Sequence, residues 1–461
     1  MNLRTHFKTA LIVLWLSVIV LACNLSGSDA PPTIAPRRPT FTPPPTIGYA
    51  TLSPEELPEI ASTRVASADA TLINLANQVE TDRLMLHIDT LQSFGTRHVN
   101  SGYDRTDWGI GAAGRYITAE FEKIRNDTQG RLVVFPYPFE VEWEGVRSQP
   151  YNVVAFLSGT EPGAGTILIG AHYDSTSIRF EDGNAPAPGA NDNGSGTAAL
   201  LELARVLSTR SHRASIMFVA FSAEEIQRRG SVAFVRDYLL PRAIDINTMI
   251  NMDIIGNPFD ANGAMNDSMV RLYSAGPNES PSRHAARTIE LIASVHVPYM
   301  DIGLQDGEDR QNRYSDHMSF SEAGYPAVRF VESLENSSRQ HNDRDTIDGV
   351  QGAYLTRVTQ TILTVVTSLA DGLQPPRNMA LRDADNGLRT LVWEPIPGAS
   401  GYIVALRRPN ALAYDYFEIN EPNTTSVTWD GFVPTRFVGL AIAARDAEGL
   451  MGPLSPEFTI R

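Results

Sequence analysis

Four apolar runs in this chain each end on a residue able to ligate a metal. Residues 166–171 (T-I-L-I-G-A) lead into His172, and residues 214–221 (A-S-I-M-F-V-A-F) lead into the adjacent acids Glu224 and Glu225. Residues 246–252 lead into Asp253, and residues 325–331 into a polar loop that holds His341. Short apolar, β-branched runs of this kind read as strands. In an open α/β sheet, ligands collect outside the carboxyl ends of the strands. Four strand ends with ligand-type side chains therefore predict one shared metal site along one edge of one sheet.

The neighbouring sequence supplies the rest of that sheet. Further strands are expected at 132–135, 152–157 and 269–274. Helices are expected at 112–124, 196–207, 231–239, 281–294 and 353–369, and an apolar stripe runs from Leu72 to Leu91. The alternation predicts a three-layer αβα fold around a mixed, mainly parallel central sheet. At 461 residues the chain exceeds one ordinary core. Pro375 and Pro376 mark a boundary beyond which no long helix is legible. Short alternating strands at 391–393, 402–406, 426–429, 438–444 and 458–460 predict a C-terminal all-β sandwich. The expected division is an α/β domain over 66–374 and a β domain over 375–461.

The N-terminus reads differently. Arg4 and Lys8 precede an apolar stretch at 10–22, shorter than the ~18–20 residues of a membrane span and suited to a signal-peptide core over 1–22. The stretch stops at Cys23, the only cysteine, so no internal disulfide can form. V-L-A-C at 20–23 resembles a bacterial lipoprotein cleavage site. That resemblance implies a lipid on Cys23 and an extracytoplasmic protein anchored to the cell membrane. The prolines that follow favour an extended tether over 23–65. The net charge of −15 opposes a nucleic-acid partner, since phosphate binding needs clustered Lys and Arg.

Taken singly, the ligand candidates are ambiguous. Asp174, two residues after His172, is placed to orient the second imidazole nitrogen. Asp192, in P-G-A-N-D-N-G-S-G, reads equally as a turn before a helix. Glu224 and Glu225 repel one another. One reading gives one of them to a metal and leaves the other as general base, while a helix N-terminus would also welcome both. Together the set offers two imidazoles and three carboxylates, with a fourth carboxylate spare. Nitrogen and oxygen donors without thiolate suit Zn²⁺, with Mn²⁺ or Co²⁺ as substitutes. Five ligands exceed the needs of one zinc with an open position and suffice for two metals sharing a carboxylate.

In order along residues 67–373, H-Y-D-S, G-A-N-D-N-G-S-G, E-E, N-M-D-I-I-G, S-D-H-M-S-F and H-N-D-R-D-T resemble the co-catalytic di-zinc aminopeptidase family. Its wider group includes glutamate carboxypeptidases and glutaminyl-peptide cyclases. The resemblance implies a zinc-exopeptidase fold with Asp192 bridging two zinc ions. His172 and Asp253 would complete one site, and Glu225 and His341 the other. Glu224 would be general base in a two-metal hydroxide mechanism acting on peptides with a free N-terminus. The resemblance further implies a cis peptide between Asp192 and Asn193. Asp316 and His317 are expected near the substrate, or as a helix cap with a packed histidine. The chain departs from the family's E-E-x-G-L-x-G-S at Gln227 and Arg228, which leaves side-chain preference open. Arg228 and Arg229 either attract an acidic group or form a solvated helix face. Trp393, Tyr402 and A-A-R-D-A-E-G at 443–449 resemble a fibronectin type III domain, implying a spacer or a surface or polymer contact. A cyclase, a carboxypeptidase with a basic pocket and an inactive binding module remain alternatives. A serine hydrolase and a zincin are disfavoured, since neither G-x-S-x-G nor H-E-x-x-H occurs.

Overall fold

The computed structural model describes residues 52–61 and 70–461. The expected signal peptide, the Cys23 lipid site and most of the Pro-rich tether lie outside the described residues. Ten strands precede Pro375: β1 (Leu132–Pro138), β2 (Val141–Trp143), β3 (Val146–Ser148), β4 (Tyr151–Leu157), β5 (Thr166–His172), β6 (Ser215–Phe221), β7 (Ile246–Met252), β8 (Met269–Ser274), β9 (Asp301–Leu304) and β10 (Ala327–Glu332). β2 and β3 form a separate hairpin, and the other eight form one sheet in the order β1-β4-β6-β5-β7-β10-β8-β9. β6, β5, β7 and β10 run parallel. The sheet reverses direction between β1 and β4, β4 and β6, and β10 and β8. This is the mixed sheet with a parallel centre that the sequence predicts.

Central strands are buried on both faces, as crossover helices require. Alternate residues of β6 feed two cores. Ile216, Phe218 and Ala220 join the one that includes helices Gly196–Leu207 and Gly352–Asp371, while Met217, Val219 and Phe221 join Phe234 and Phe320 on the other side. The stripe from Leu72 to Leu91 breaks into two helices, Ala70–Ala76 and Thr81–Ser93, with Leu86 exposed.

Beyond Pro376 come β11 (Ala380–Asp383), β12 (Arg389–Val392), β13 (Gly401–Arg407), β14 (Asp415–Ile419), β15 (Ser426–Trp429), β16 (Gly439–Arg445) and β17 (Phe458–Thr459). They form two antiparallel sheets, β11-β12-β15 and β14-β13-β16-β17. The expectation of alternating strands fails at the centre of the second sheet, where β13 and β16 are buried at all seven positions. Tyr402, Val404, Leu406, Leu440, Ile442 and Ala444 pack inside the sandwich. Ile403, Ala405, Ala441 and Ala443, on the opposite face, join the α/β core. The boundary at 374/375 therefore does not separate two independent cores, and all described residues fall in one compact unit.

The expected tether also needs correction at its C-terminal end. Leu52 is buried in the sandwich core, with Leu57 and Ala61 packed against it. The Trp429 indole donates to the Glu56 carbonyl at 3.1 Å, and Arg436 pairs with Glu56 at 2.9 Å. A segment with three apolar anchors has surface to bury, which a composition count dominated by proline conceals.

Candidate metal centre

The carboxyl ends of β5, β6, β7 and β10 open onto one cluster. His172 ends β5, Glu224 and Glu225 follow β6, Asp253 follows β7, and His341 lies in the loop after β10. Asp192 enters from the turn that begins helix Gly196–Leu207. His172 Nε2 lies 3.4 Å from Asp192 Oδ1 and 3.3 Å from Asp253 Oδ1. His341 Nε2 lies 3.1 Å from Asp192 Oδ2 and 3.3 Å from Glu225 Oε2. Each Asp192 oxygen thus faces a different imidazole. Donor atoms of His172, Asp192 and Asp253 all fall within 4.8 Å of one another, as do those of Asp192, Glu225 and His341. Glu224 belongs to neither trio, and its Oε2 lies 3.9 Å from His172 Nε2.

Backbone groups hold these side chains in place. Asp345 accepts from the Asn191 and Asp192 N–H groups, each at 2.9 Å. Asn193 donates to the Met252 carbonyl at 2.9 Å and accepts from the N–H of Gly196 at 3.0 Å. Between these two anchors the Asp192–Asn193 peptide is cis, as the family resemblance implies. Gly189 opens the turn at φ +54°, where a Cβ would sit 2.6 Å from the Asp192 carbonyl oxygen. Asp174 acts in a way the sequence did not suggest. Its carboxylate accepts from the N–H groups of both Glu224 and Glu225 at 3.1 Å, and His172 Nδ1 lies closer to the Asp174 carbonyl (3.2 Å) than to its carboxylate (3.6 Å).

Two fully buried arginines flank the cluster. Arg329, on β10, pairs with Asp253 Oδ2 at 2.8 Å and Asp309 Oδ2 at 2.5 Å. Arg97 donates to the carbonyls of Tyr173 (2.7 Å), Gly189 (2.8 Å) and Pro188, so it ties the turn after His172 to the turn before Asp192.

The electrostatics are those of crowded acids. Burial raises Glu224 well above the usual carboxylate range and pushes Glu225 up to about 8. Burial also opposes ionisation of Asp192, but the two imidazoles outweigh it and hold that carboxyl well below its ordinary value. For Asp253 burial is outweighed by Arg329 and His172, and the group stays ionised. Glu225 and Asp192 raise His341 to about 9. Burial would lower His172, yet Asp253 and Glu224 overcome it and lift the imidazole well above its ordinary value. The surrounding carboxylates thus bias both imidazoles toward the charged form. Glu225 Oε1 is buried with no hydrogen-bond partner. A converging set of imidazole nitrogens and carboxylate oxygens, overfull of negative charge and with an orphaned acceptor, fits divalent zinc.

Asp316 and His317 sit behind the cluster. Both are fully buried, and neither lines the cavity of about 380 Å³ that opens over Glu224, Glu225 and His341. The His317 Nε2 donates to the Glu308 carbonyl at 2.8 Å, and burial holds the imidazole at about 4. Of the two expectations for this pair, the packing is that of the second: Asp316 stands at the N-cap of the short helix His317–Ser321 and His317 is packed inward. Sequence reasoning missed Arg97, Arg329 and Asp345. The available signals were an arginine inside the apolar run P-A-V-R-F-V and the place of Asp345 within H-N-D-R-D-T.

Residues 152–366 match the model of peptidase family M28. A probable zinc metalloprotease of Leptosphaeria maculans is 30% identical, over 79% of this chain and 89% of that protein. One of Pyricularia oryzae is 32% identical, over 75% of each. Among solved structures, the Legionella pneumophila LapA aminopeptidase aligns with a TM-score of 0.54 at 20% identity, over 68% of this chain and 75% of that one. An aminopeptidase from Aneurinibacillus sp. strain AM-1 aligns with a TM-score of 0.50 at 15% identity, over 65% and 96% respectively. These two likenesses concern the fold.

Proposed function

The chain belongs to peptidase family M28, and from that premise we propose that it is an aminopeptidase using two zinc ions. The observation that carries this reading is the pair of three-ligand groups sharing Asp192, with Glu224 left over beside them. His172 and Asp253 would hold one zinc, Glu225 and His341 the other, and Asp192 both. Two such ions would supply Lewis-acid activation of water and of the scissile carbonyl.

The chain's own residues do the rest. Glu224, raised by burial, is suited to take a proton from the attacking water at one Oε and deliver it to the leaving nitrogen. Asp174 braces the turn that carries Glu224 and Glu225 by accepting from both backbone N–H groups. The carboxylate-rich floor favours the free α-amine of a peptide N-terminus. A carboxypeptidase is the second reading, and arginines in the cavity wall favour it. The C-terminal sheets we read as a fibronectin type III-like module. We place the protein outside the cytoplasm on a lipid at Cys23, which a Cys23→Ser variant tests by its release from membranes.

A substrate panel decides the activity: aminoacyl anilides, N-acetylated peptides and peptides with N-terminal Gln, each with and without chelator. Chelator-sensitive release from free N-termini is expected. Cleavage of N-acetylated peptides at their C-terminal end, or cyclisation of Gln without hydrolysis of any substrate, would refute the aminopeptidase reading.

A further inference from the structure

We propose that Arg228 and Arg313 form a carboxylate-recognising subsite in the wall of the catalytic cavity, so that preferred substrates carry a carboxylate beside the scissile bond. This rests on the peptidase reading above and names its substrate class.

Four arginines line the cavity: Arg228, Arg310, Arg313 and Arg329. Two are already neutralised. Arg329 pairs with Asp253 and Asp309, and Arg310 pairs with Asp309 at 3.3 Å and with Glu335. The other two are not. Arg313 has no ion pair among the described residues, and its Nη2 donates to the neutral Gln340 Oε1 at 2.8 Å. Arg313 lines the same cavity as His341 and Glu225. Arg228 meets only Glu322, at 3.3 Å. That acid is 54% exposed, and such surface pairs contribute little. Arg228 Nη1 is buried with no partner.

The local backbone puts Arg228 there. Gln227 and Arg228 take φ of +72° and +59°, a left-handed pair that side chains rarely adopt. The family pattern has Gly at 227. Non-glycine residues held in this region concentrate at functional sites. The next residue, Arg229, is exposed, donates to Gln227 and does not line the cavity. Of the two adjacent arginines, only Arg228, which stands where the family pattern has Leu, lines the cavity.

A planar guanidinium matches a carboxylate better than other groups a peptide offers. The carboxylate has two possible sources: the side chain of an acidic N-terminal residue, or the free C-terminus of a short peptide. The two cations, one unpaired and one paired only with the exposed Glu322, also oppose Lys or Arg at the same place.

The test uses the zinc-loaded full chain. Glu- and Gln-anilides are compared as one pair, and Leu-Gly with free or amidated C-terminus as another. In at least one pair the carboxylate form is expected to be favoured about tenfold in kcat/KM, the scale of one charged hydrogen bond. That ratio should collapse in R228Q and R313Q, through KM more than kcat, and recover in part in R228K and R313K. Melting curves identify any variant that has merely unfolded, and the lysine variants then carry the comparison. The first pair responding assigns the side chain, and the second assigns the C-terminus. Ratios below about threefold in both pairs, or a ratio that survives the double R228Q/R313Q change, overturn the subsite while leaving the peptidase reading intact. Failure to cleave any substrate, Leu-anilide included, overturns the peptidase reading and the subsite with it.

Discussion

Ile403 and Val404 are neighbours on β13, and both are fully buried. Ile403 faces the α/β core and Val404 faces the interior of the sandwich. Truncating each to alanine asks whether the two parts of the chain are one folding unit. Removing a buried isoleucine side chain costs roughly 2–5 kcal/mol, transfer and cavity effects together. Were the sandwich an independent domain on a linker, Ile403 would lie on a solvated face, and its loss would cost no more than about 0.5 kcal/mol. The two cases differ by several-fold, and total stabilities run about 5–15 kcal/mol, so the difference is measurable. The polar groups at the junction argue the same way. Arg287, on helix Pro281–His296, donates to the Leu412 carbonyl at 3.1 Å, and His284 lies 2.9 Å from the Tyr414 hydroxyl, which in turn donates to Glu457 at 2.7 Å. The assay is thermal unfolding of the full chain, followed by tryptophan fluorescence and by residual peptidase activity. Ile403→Ala should lower both midpoints together, by on the order of 3–8 °C. An Ile403→Ala melt that overlays the parent while Val404→Ala falls, or activity and fluorescence transitions that separate, would refute the shared core.

Three further outcomes are expected. Glu224→Gln should keep its zinc, measured by atomic absorption, yet lose about 10²–10⁴ in kcat, the usual contribution of a positioned general base; near-parental turnover would remove that role. Asp345→Ala strips the acceptor from the Asn191 and Asp192 N–H groups and should weaken zinc binding about 10–100-fold in chelator competition, whereas unchanged affinity would show that the turn holds itself. Burial lowers the His284 imidazole from 6.5 to about 4, so the unfolded chain binds the proton more readily. The resulting stability is complete above pH 6.5 and lost as pH falls toward 4. About 2 kcal/mol should go by pH 5 in urea unfolding of the chelated protein, and His284→Gln should flatten that slope; an equal slope in the variant would assign the effect elsewhere.

The site was legible because its residues lie at the ends of strands whose patterning is strong. β7, β8 and helix Gly196–Leu207 fall where the pattern predicts them, and the other expected sheet strands shift by at most three residues at either end. Ligand types repeated at four such ends needed no tertiary information to be noticed. β9 (D-I-G-L) and β14 (D-Y-F-E-I) were not legible, being short and begun by an acid. What Arg97 and Asp345 do was hidden for another reason. They act on backbone carbonyls and N–H groups, and no residue pattern records which backbone groups a fold leaves unpaired. The docking of the sandwich did leave a trace. β13 (G-Y-I-V-A-L-R) and β16 (G-L-A-I-A-A-R) are continuous apolar runs, the signature of strands covered on both faces, where a sheet with one solvated face shows alternation.

The same distinction between pattern and packing explains how so many acids coexist at the site. Asp192, Glu224, Glu225, Asp253 and Asp345 would repel one another if all were ionised in a dry pocket. The fold gives each a different counterweight. Arg329 lies against Asp253 and, with His172, outweighs burial to hold it well below the ordinary carboxylate range. Asp192 leans on both imidazoles, one per oxygen. Asp345 spends its two oxygens on backbone N–H groups, while burial and the Asp192 charge raise it to about 7. Burial raises Glu225 to about 8 against the pull of His341, and raises Glu224 well above its ordinary range against that of His172. A row of chemically similar carboxyls is thereby sorted into groups held below the ordinary carboxylate range, Asp192 and Asp253, and groups that burial raises above it, Glu224, Glu225 and Asp345. The sorting is done by an arginine in the middle of β10 and by two histidines at β5 and beyond β10. The order of ligands along the chain is what identifies the site, and these cations are what keep Asp192 and Asp253 low beside carboxyls that burial raises.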